Sequence, residues 1–380
     1  MGECIFTNAR IVAGDHELAG TVVVRDGTIA AVDGGRSANP AAIDLGGDIL
    51  MPGLVELHTD NLEKHFTPRP GVRWPGRAAV LAHDAQIAAA GITTVFDAIA
   101  LGDVFKTSDR VEGLAEMRGA LAAMSAQNAL KAEHHLHLRC ELSFGQVLEL
   151  YESLMDDPAV RLVSIMDHTP GQRQFVDVEK YRFYYIKKYG MSDAEFAAFL
   201  ARRREDQAKY SVKHRREILA RAHARRHILA SHDDATVGHV AESAADGMSI
   251  AEFPTTLEAA RTSRDKGLAV LMGAPNIVLG GSHSGNIAAG DLARAGLLDI
   301  MSSDYVPLSL IQAVFLLADS DIGLDLAAAT ALASRNPARA VGLHDRGEIA
   351  VGKRADLVRV HLADGIPVIR SVWRDGERIV

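Results

Sequence analysis

Eight short apolar, strand-like runs recur through the middle of this 380-residue chain, and helix-patterned segments fill the gaps between them. The runs are 49–58, 91–99, 134–142, 160–168, 227–232, 248–253, 268–272 and 297–302, with helix patterns at 78–90, 111–132, 194–226 and 256–266. Several runs are near-continuously apolar rather than alternating, the pattern of parallel strands covered on both faces. Alternating strand and helix at this count predicts an α/β fold, a TIM-like (β/α)8 barrel whose active site lies at the C-terminal ends of the strands.

The two chain ends have a different texture. Residues 5–12 and 21–24 are strand-like, and Asp26-Gly27 turns the second run into 28–32 as a hairpin. At the other end 355–360 reads as a strand, and 368–373 and 378–380 read as a hairpin around Asp375-Gly376. Neither end is long enough to bury a core alone, so the two are expected to pair as one small β-sandwich domain. The resulting layout is 1–47 for the first half of that domain, 48–345 for the barrel and 346–380 for the second half.

Composition narrows the function classes. A hydrophobic fraction of 48% with a net charge of −8 suits a globular chain with a large core and argues against general nucleic-acid binding. With only Cys4 and Cys140, neither a disulfide framework nor a cysteine zinc cluster can form. The N-terminus has no basic segment followed by an apolar one, and no apolar run approaches 18 residues, so a soluble cytoplasmic chain without a membrane partner is expected. Residues 202–226 contain ten Lys or Arg, but Glu205, Asp206 and Glu217 lie among them. That run reads as a solvated helix face or as a subunit contact in a homo-oligomer.

The strand ends carry the chemistry. The first run ends in His58 and Asp60, which the two-residue period of a strand puts on one face. The third run ends near Glu141, the fourth at Asp167-His168, the fifth at His232-Asp233-Asp234 and the eighth at Ser303-Asp304. A lone histidine or aspartate at a strand end is usually a packing detail. Three histidines and at least three carboxylates at the same end of one barrel point instead to a divalent-metal site.

At this point the chain resembles the amidohydrolase superfamily over nearly all its length. The paired end domain, the Leu-Met-Pro-Gly-Leu-Val-Glu-Leu-His stretch ending at His58, and Gly352-Lys-Arg-Ala-Asp-Leu-Val358 carry the general resemblance. Six narrower stretches are similar to the phosphonate-metabolism diphosphatases of that superfamily. They are His58-Thr-Asp-Asn-Leu-Glu-Lys-His65, His137-Leu-Arg-Cys-Glu-Leu142, the ten residues from Met166 to Phe175, Ala230-Ser-His-Asp-Asp-Ala235, Ala251-Glu-Phe-Pro-Thr-Thr256 and Gly280-Gly-Ser-His-Ser-Gly-Asn286. The resemblance implies a metal-dependent hydrolase that cleaves a small-molecule substrate, a ribose 1-methylphosphonate 5-triphosphate, and releases pyrophosphate. It implies His58, Glu141, His168, His232 and Asp304 as ligands of one or two divalent ions, zinc first, with manganese or iron as alternatives. Asp60 stands where most superfamily members have a second histidine, and it joins the ligand set as a further candidate.

Phosphoryl chemistry agrees with these residue types. A metal-bound water reaches a pKa of ~7, and Asp304 is placed to take its proton. A triphosphate needs cationic donors as well. Residues 169–190 hold Arg173, Lys180, Arg182, Lys187 and Lys188 together with six of the chain's 18 Phe and Tyr residues, as a flap over an anionic sugar would. His283, in the glycine-rich 280–286 stretch, is a candidate phosphate ligand or general acid, and Arg69, Arg73 and Arg139 are further anion-binding candidates. The rival readings are a superfamily deaminase or deacetylase acting on a C–N bond, and a non-catalytic barrel used as an assembly surface.

Overall fold

A computed structural model describes residues 2–380 apart from Pro70, 103–108, Gln172, 174–189, His283, Ser284 and Ser320, with the side chains of 109–112 also left aside. The N-terminal strands are β1 (Glu3–Ala13), β2 (His16–Arg25), β3 (Thr28–Gly34), β4 (Ile43–Asp44) and β5 (Ile49–Pro52). Eight strands follow: β6 (Leu54–Thr59), β7 (Ile92–Leu101), β8 (Glu133–Glu141), β9 (Val160–Met166), β10 (Ile228–His232), β11 (Ile250–Glu252), β12 (Ala269–Gly273) and β13 (Ile300–Ser302). The chain ends in β14 (Leu357–Ala363), β15 (Ile366–Arg374) and β16 (Glu377–Arg378).

These strands form two sheets. The first runs β16-β15-β14-β5-β1-β2-β3, with β4 beside β1, and so joins both chain ends as their composition required. The antiparallel β14–β5 pairing is the seam between the ends. Phe6 from the first strand and Trp373 from β15 meet edge-to-face with centroids 4.7 Å apart, inside a core that includes Ile11, Val22, Ile29, Leu45 and Leu357. The second sheet runs in strict chain order from β6 to β13. Its two end strands are linked by a parallel bridge, Thr59 to Asp304, which closes the (β/α)8 barrel. No helix among the described residues is long and apolar enough to cross a membrane.

The chain divides into two compact units. One comprises Met1–Asp97, Glu116–His135 and Met272–Val380; the other comprises Ala98–Ala115 and Leu136–Leu271. The first holds the end sheet, β6, β13 and two helices that matter below, α1 (Asn61–Phe66) and α2 (Gly76–Ala89). The second holds β9, β10 and β11 and a 33-residue helix, Asp193–Arg225. Ser192 starts that helix with a capping box: its hydroxyl accepts from the Glu195 N–H, and the Glu195 carboxylate accepts from the Ser192 N–H. The basic run lies on this helix. Arg203 pairs with Glu141, Arg215 with Asp246, Arg221 with Glu152 and Glu217, and Arg225 with Asp156.

One expected strand is two. The 49–58 run breaks at Pro52-Gly53, so 49–52 belongs to the end sheet and 54–59 to the barrel. Gly53 makes the crossing possible. Its N–H donates to the Asp356 carbonyl at 2.8 Å, and a Cβ there would lie 2.7 Å from Thr93 Cγ2 and 2.9 Å from Asp356 Cβ. The Asp356 side chain in turn receives Arg354, and Glu133 receives Arg346 at 2.6 Å, so this corner cannot easily yield. Gly53→Ala is therefore expected to cost about 1–3 kcal/mol as an overpacked site. The check is a thermal melt; a variant melting with wild type would show that Thr93 and Asp356 can move aside.

Candidate active site

In the first unit the site is built by barrel closure. His58 comes from β6, Asp60 follows one residue past its end and is the N-cap position of α1, and Asp304 follows β13. The Asp60 N–H donates to the Asp304 carbonyl at 2.9 Å, the Asp304 N–H to the His58 carbonyl at 3.1 Å, and the Thr59 hydroxyl to the Asp304 carbonyl at 2.9 Å. This lacing holds Asp304 in the left-handed region at φ 53°, which Asp and Asn tolerate best among residues with a side chain. One ligand atom from each of His58, Asp60 and Asp304 lies within 4.8 Å of the others, a spacing that suits one shared cation. Asp60 lies past the strand end, so its ligand atom comes near that of His58 from the helix cap and not through the strand period.

Behind His58 sits a carboxylate that the sequence reading passed over. Glu56 is fully buried and accepts the His58 N–H at 2.6 Å and the Ser303 N–H at 2.5 Å. Burial raises its pKa to about 7 against the pull of those two donors. The signal was available: Glu56 shares the strand period with His58, and a glutamate inside an apolar run needs a reason.

In the second unit another group assembles at the ends of β8, β9 and β10. His168, His232 and Asp233 bring ligand atoms within 4.8 Å of one another. The Asp233 carboxylate lies 2.7 Å from His232 Nδ1 and 3.4 Å from His168 Nε2. Glu141 accepts from His168 Nδ1 at 2.6 Å and also from Ser143 at 2.6 Å and Arg203 at 3.0 Å. Its oxygens are thereby committed to protein donors, the arrangement in which a carboxylate orients a ligating histidine from behind. Burial would raise the Glu141 carboxyl, yet the His168 ring and Arg203 hold it at about 2. Burial would lower His168, yet Glu141 and Asp233 raise it to about 10. Asp233 and Phe253 are left-handed at φ 59° and 53°, and the Phe253 ring lies 5.3 Å from His232. Backbone of this kind just past two barrel strands is characteristic of functional positions.

The anion-binding candidates fall in different places. Arg69 and Arg73 are exposed in the loop after α1, and Arg73 pairs with Glu116 at 2.8 Å. Arg139 is half-buried on β8. Arg173 is buried, with its guanidinium on Asp234 and Glu242. Lys180 and His283 lie outside the described residues, as do Arg182, Lys187 and Lys188.

A third histidine–carboxylate group lies in the first unit. His83 of α2 and His134 of β8 each meet the Asp97 carboxylate at 2.7 Å, and the other His134 nitrogen meets Asp84 at 3.2 Å. Asn61 lies 3.0 Å from the remaining His83 nitrogen. With carboxylates at both its nitrogens, His134 is an imidazolium, and His83 is neutral with its proton toward Asp97. Every ring nitrogen is satisfied without a cation. Burial opposes the charge on His134, but Asp97 and Asp84 raise its pKa to about 9. A raised pKa contributes stability that is complete below about 6.5 and is lost as pH rises through about 9. The melting-temperature gap between wild type and His134→Gln is accordingly expected to be widest near pH 6 and to narrow by pH 9.5. A gap independent of pH over that range would show that His134 is not charged in the fold.

The sequence pattern of the amidohydrolase family matches residues 49–380. The alpha-D-ribose 1-methylphosphonate 5-triphosphate diphosphatase of Escherichia coli (strain K12) is 50% identical over 376 residues, 99% of this chain and 100% of that one. Among solved structures, N-isopropylammelide isopropylaminohydrolase from Burkholderia multivorans aligns with a TM-score of 0.65 at 19% identity, covering 100% of this chain and 98% of that one. The 5-methylcytosine deaminase of Klebsiella pneumoniae aligns at 0.66 with 16% identity, covering 99% and 97%. Likeness at such low identity speaks to the fold, but the family pattern and the full-length relative go further: this chain belongs to the amidohydrolase family.

Proposed function

We propose that the chain is a metal-dependent hydrolase that cleaves alpha-D-ribose 1-methylphosphonate 5-triphosphate to the 5-phosphate and pyrophosphate during phosphonate breakdown in the cytoplasm. The observation that carries this is the half-identical relative of that activity, matched end to end. His58, Asp60 and Asp304 form one set of cation ligands, and His168, His232 and Asp233 form another. Histidine with carboxylate donors suits zinc first, then manganese or iron. When bound, such an ion acidifies water and neutralises charge on phosphoryl oxygens. Asp304 accepts the proton of the attacking water, its backbone already fixed by the His58 and Thr59 contacts. Glu141 holds the His168 ring in place. Arg69, Arg73, Arg139, Arg173 and Lys180 are the candidate phosphate donors, and His283 a candidate acid for the departing group.

The direct test is product analysis. Purified enzyme should convert the ribose triphosphate to pyrophosphate and the 5-phosphate, lose activity on chelation, and regain it with Zn²⁺, Mn²⁺ or Fe²⁺. In ¹⁸O-labelled water the label is expected in the sugar phosphate, from attack at the α-phosphorus; label in pyrophosphate would move the attack to the β-phosphorus. Failure to release pyrophosphate at all would remove the proposal. Asp304→Asn tests the base. It preserves shape and the left-handed backbone but cannot take a proton, so kcat should fall by about 10²- to 10⁴-fold while metal content and triphosphate binding persist. A kcat within about threefold of wild type would hand the role to another carboxylate.

A further inference from the structure

Lys64 has no place in the machinery above, yet it is held by the residue that follows Asp304. It lies four residues after Asp60 on α1, and residues four apart share a helix face. Its ammonium donates to the Tyr305 carbonyl at 2.6 Å and lies 5.1 Å from the centre of the Tyr305 ring. Tyr305 is the residue directly after Asp304. The lysine is therefore tethered to the residue that follows Asp304, one helical turn after Asp60, with its side chain exposed to solvent. Both tethers are neutral: a carbonyl oxygen and an aromatic face. They restrict where the ammonium sits without cancelling its charge, and an ammonium has three donors, of which the carbonyl uses one. This contrasts with Arg73 and Arg173, which already face glutamate or aspartate.

We propose that Lys64 is a positioning residue for the polyphosphate chain of the substrate, donating to a phosphoryl oxygen while Tyr305 holds it in place. The inference rests on the proposed triphosphate hydrolysis and adds to it the group that registers the phosphate chain against Asp60 and Asp304. A point charge on a flexible stem suits this task, since phosphoryl oxygens present no single bidentate geometry once the chain shifts during reaction. The ring below the ammonium limits the side-chain freedom lost on binding.

Two substitutions separate charge from tether. Lys64→Gln keeps a donor for the Tyr305 carbonyl but removes the charge; Lys64→Arg keeps the charge. Steady-state kinetics with the ribose triphosphate, metal content and melting temperature are measured on metal-loaded enzyme, together with calorimetric binding of inorganic triphosphate. The expected result for Lys64→Gln is a KM raised about 10- to 100-fold, the loss of one charge-assisted hydrogen bond, with kcat, metal content and melting temperature close to wild type. Inorganic triphosphate should weaken in parallel, and Lys64→Arg should recover most of both losses. Wild-type KM and triphosphate affinity in Lys64→Gln would overturn the proposal, as would a defect in metal content or stability that Arg does not repair. If wild type itself fails to turn over the ribose triphosphate, the functional reading falls separately, and the calorimetric comparison still decides whether Lys64 binds polyphosphate.

Discussion

The contact on which the first cation group depends is the parallel bridge between Thr59 and Asp304. It joins the first and last barrel strands across most of the chain length, and it is also the scaffold of the site. The Asp304 carbonyl accepts from the Asp60 N–H and the Thr59 hydroxyl, while the Asp304 N–H donates to His58. The backbone of each of the three residues is held by a bond that also closes the barrel. Closure and site formation are therefore one event. An unclosed chain has no first cation group, so a cation that favours the group also favours closure.

The buried charges obey a related economy of space. Carboxylates and histidines are carried into the interior at several points, and several of them are matched by protein partners. Glu56 faces two backbone N–H groups, Asp97 faces two imidazoles, and Glu141 faces His168 and Arg203. The matching differs in one respect between two of the groups. In the His83–Asp97–His134 group every ring nitrogen has a protein partner, and the side chains of all three are almost completely buried. In the His168–His232–Asp233 group the second His168 nitrogen points at Asp233 over a longer 3.4 Å, and the His168 side chain keeps some exposure. The first group has no position for a cation that is not already held by a hydrogen bond. The second keeps a looser contact at a partly exposed imidazole nitrogen.

Much of this was legible in the residues. The count and order of apolar runs specified the barrel, because strands buried on both faces must read as continuous apolar segments. The similar texture of the two ends indicated that they pair, since neither could bury a core alone. His58 with Asp60, and Asp304, were marked by polar residues at the ends of apolar strands. The Pro52-Gly53 break was misread as strand interior, because the clash that demands glycine involves Thr93 and Asp356, which are remote in sequence.

What the sequence determined by itself was periodicity and residue chemistry: which segments are strands, which of their ends carry histidines and carboxylates, and what class of ion such side chains suit. Partnership was decided only by the tertiary structure. That the Glu141 carboxylate meets His168, Arg203 and Ser143 together was decided where distant parts of the chain come together. That Glu56 is buried behind His58, and that Lys64 is held by Tyr305, follows from barrel closure between β6 and β13. A carboxylate's role is set by how many of its lone pairs remain after its neighbours have used theirs, and neighbours from distant parts of the chain are specified only when the strands close.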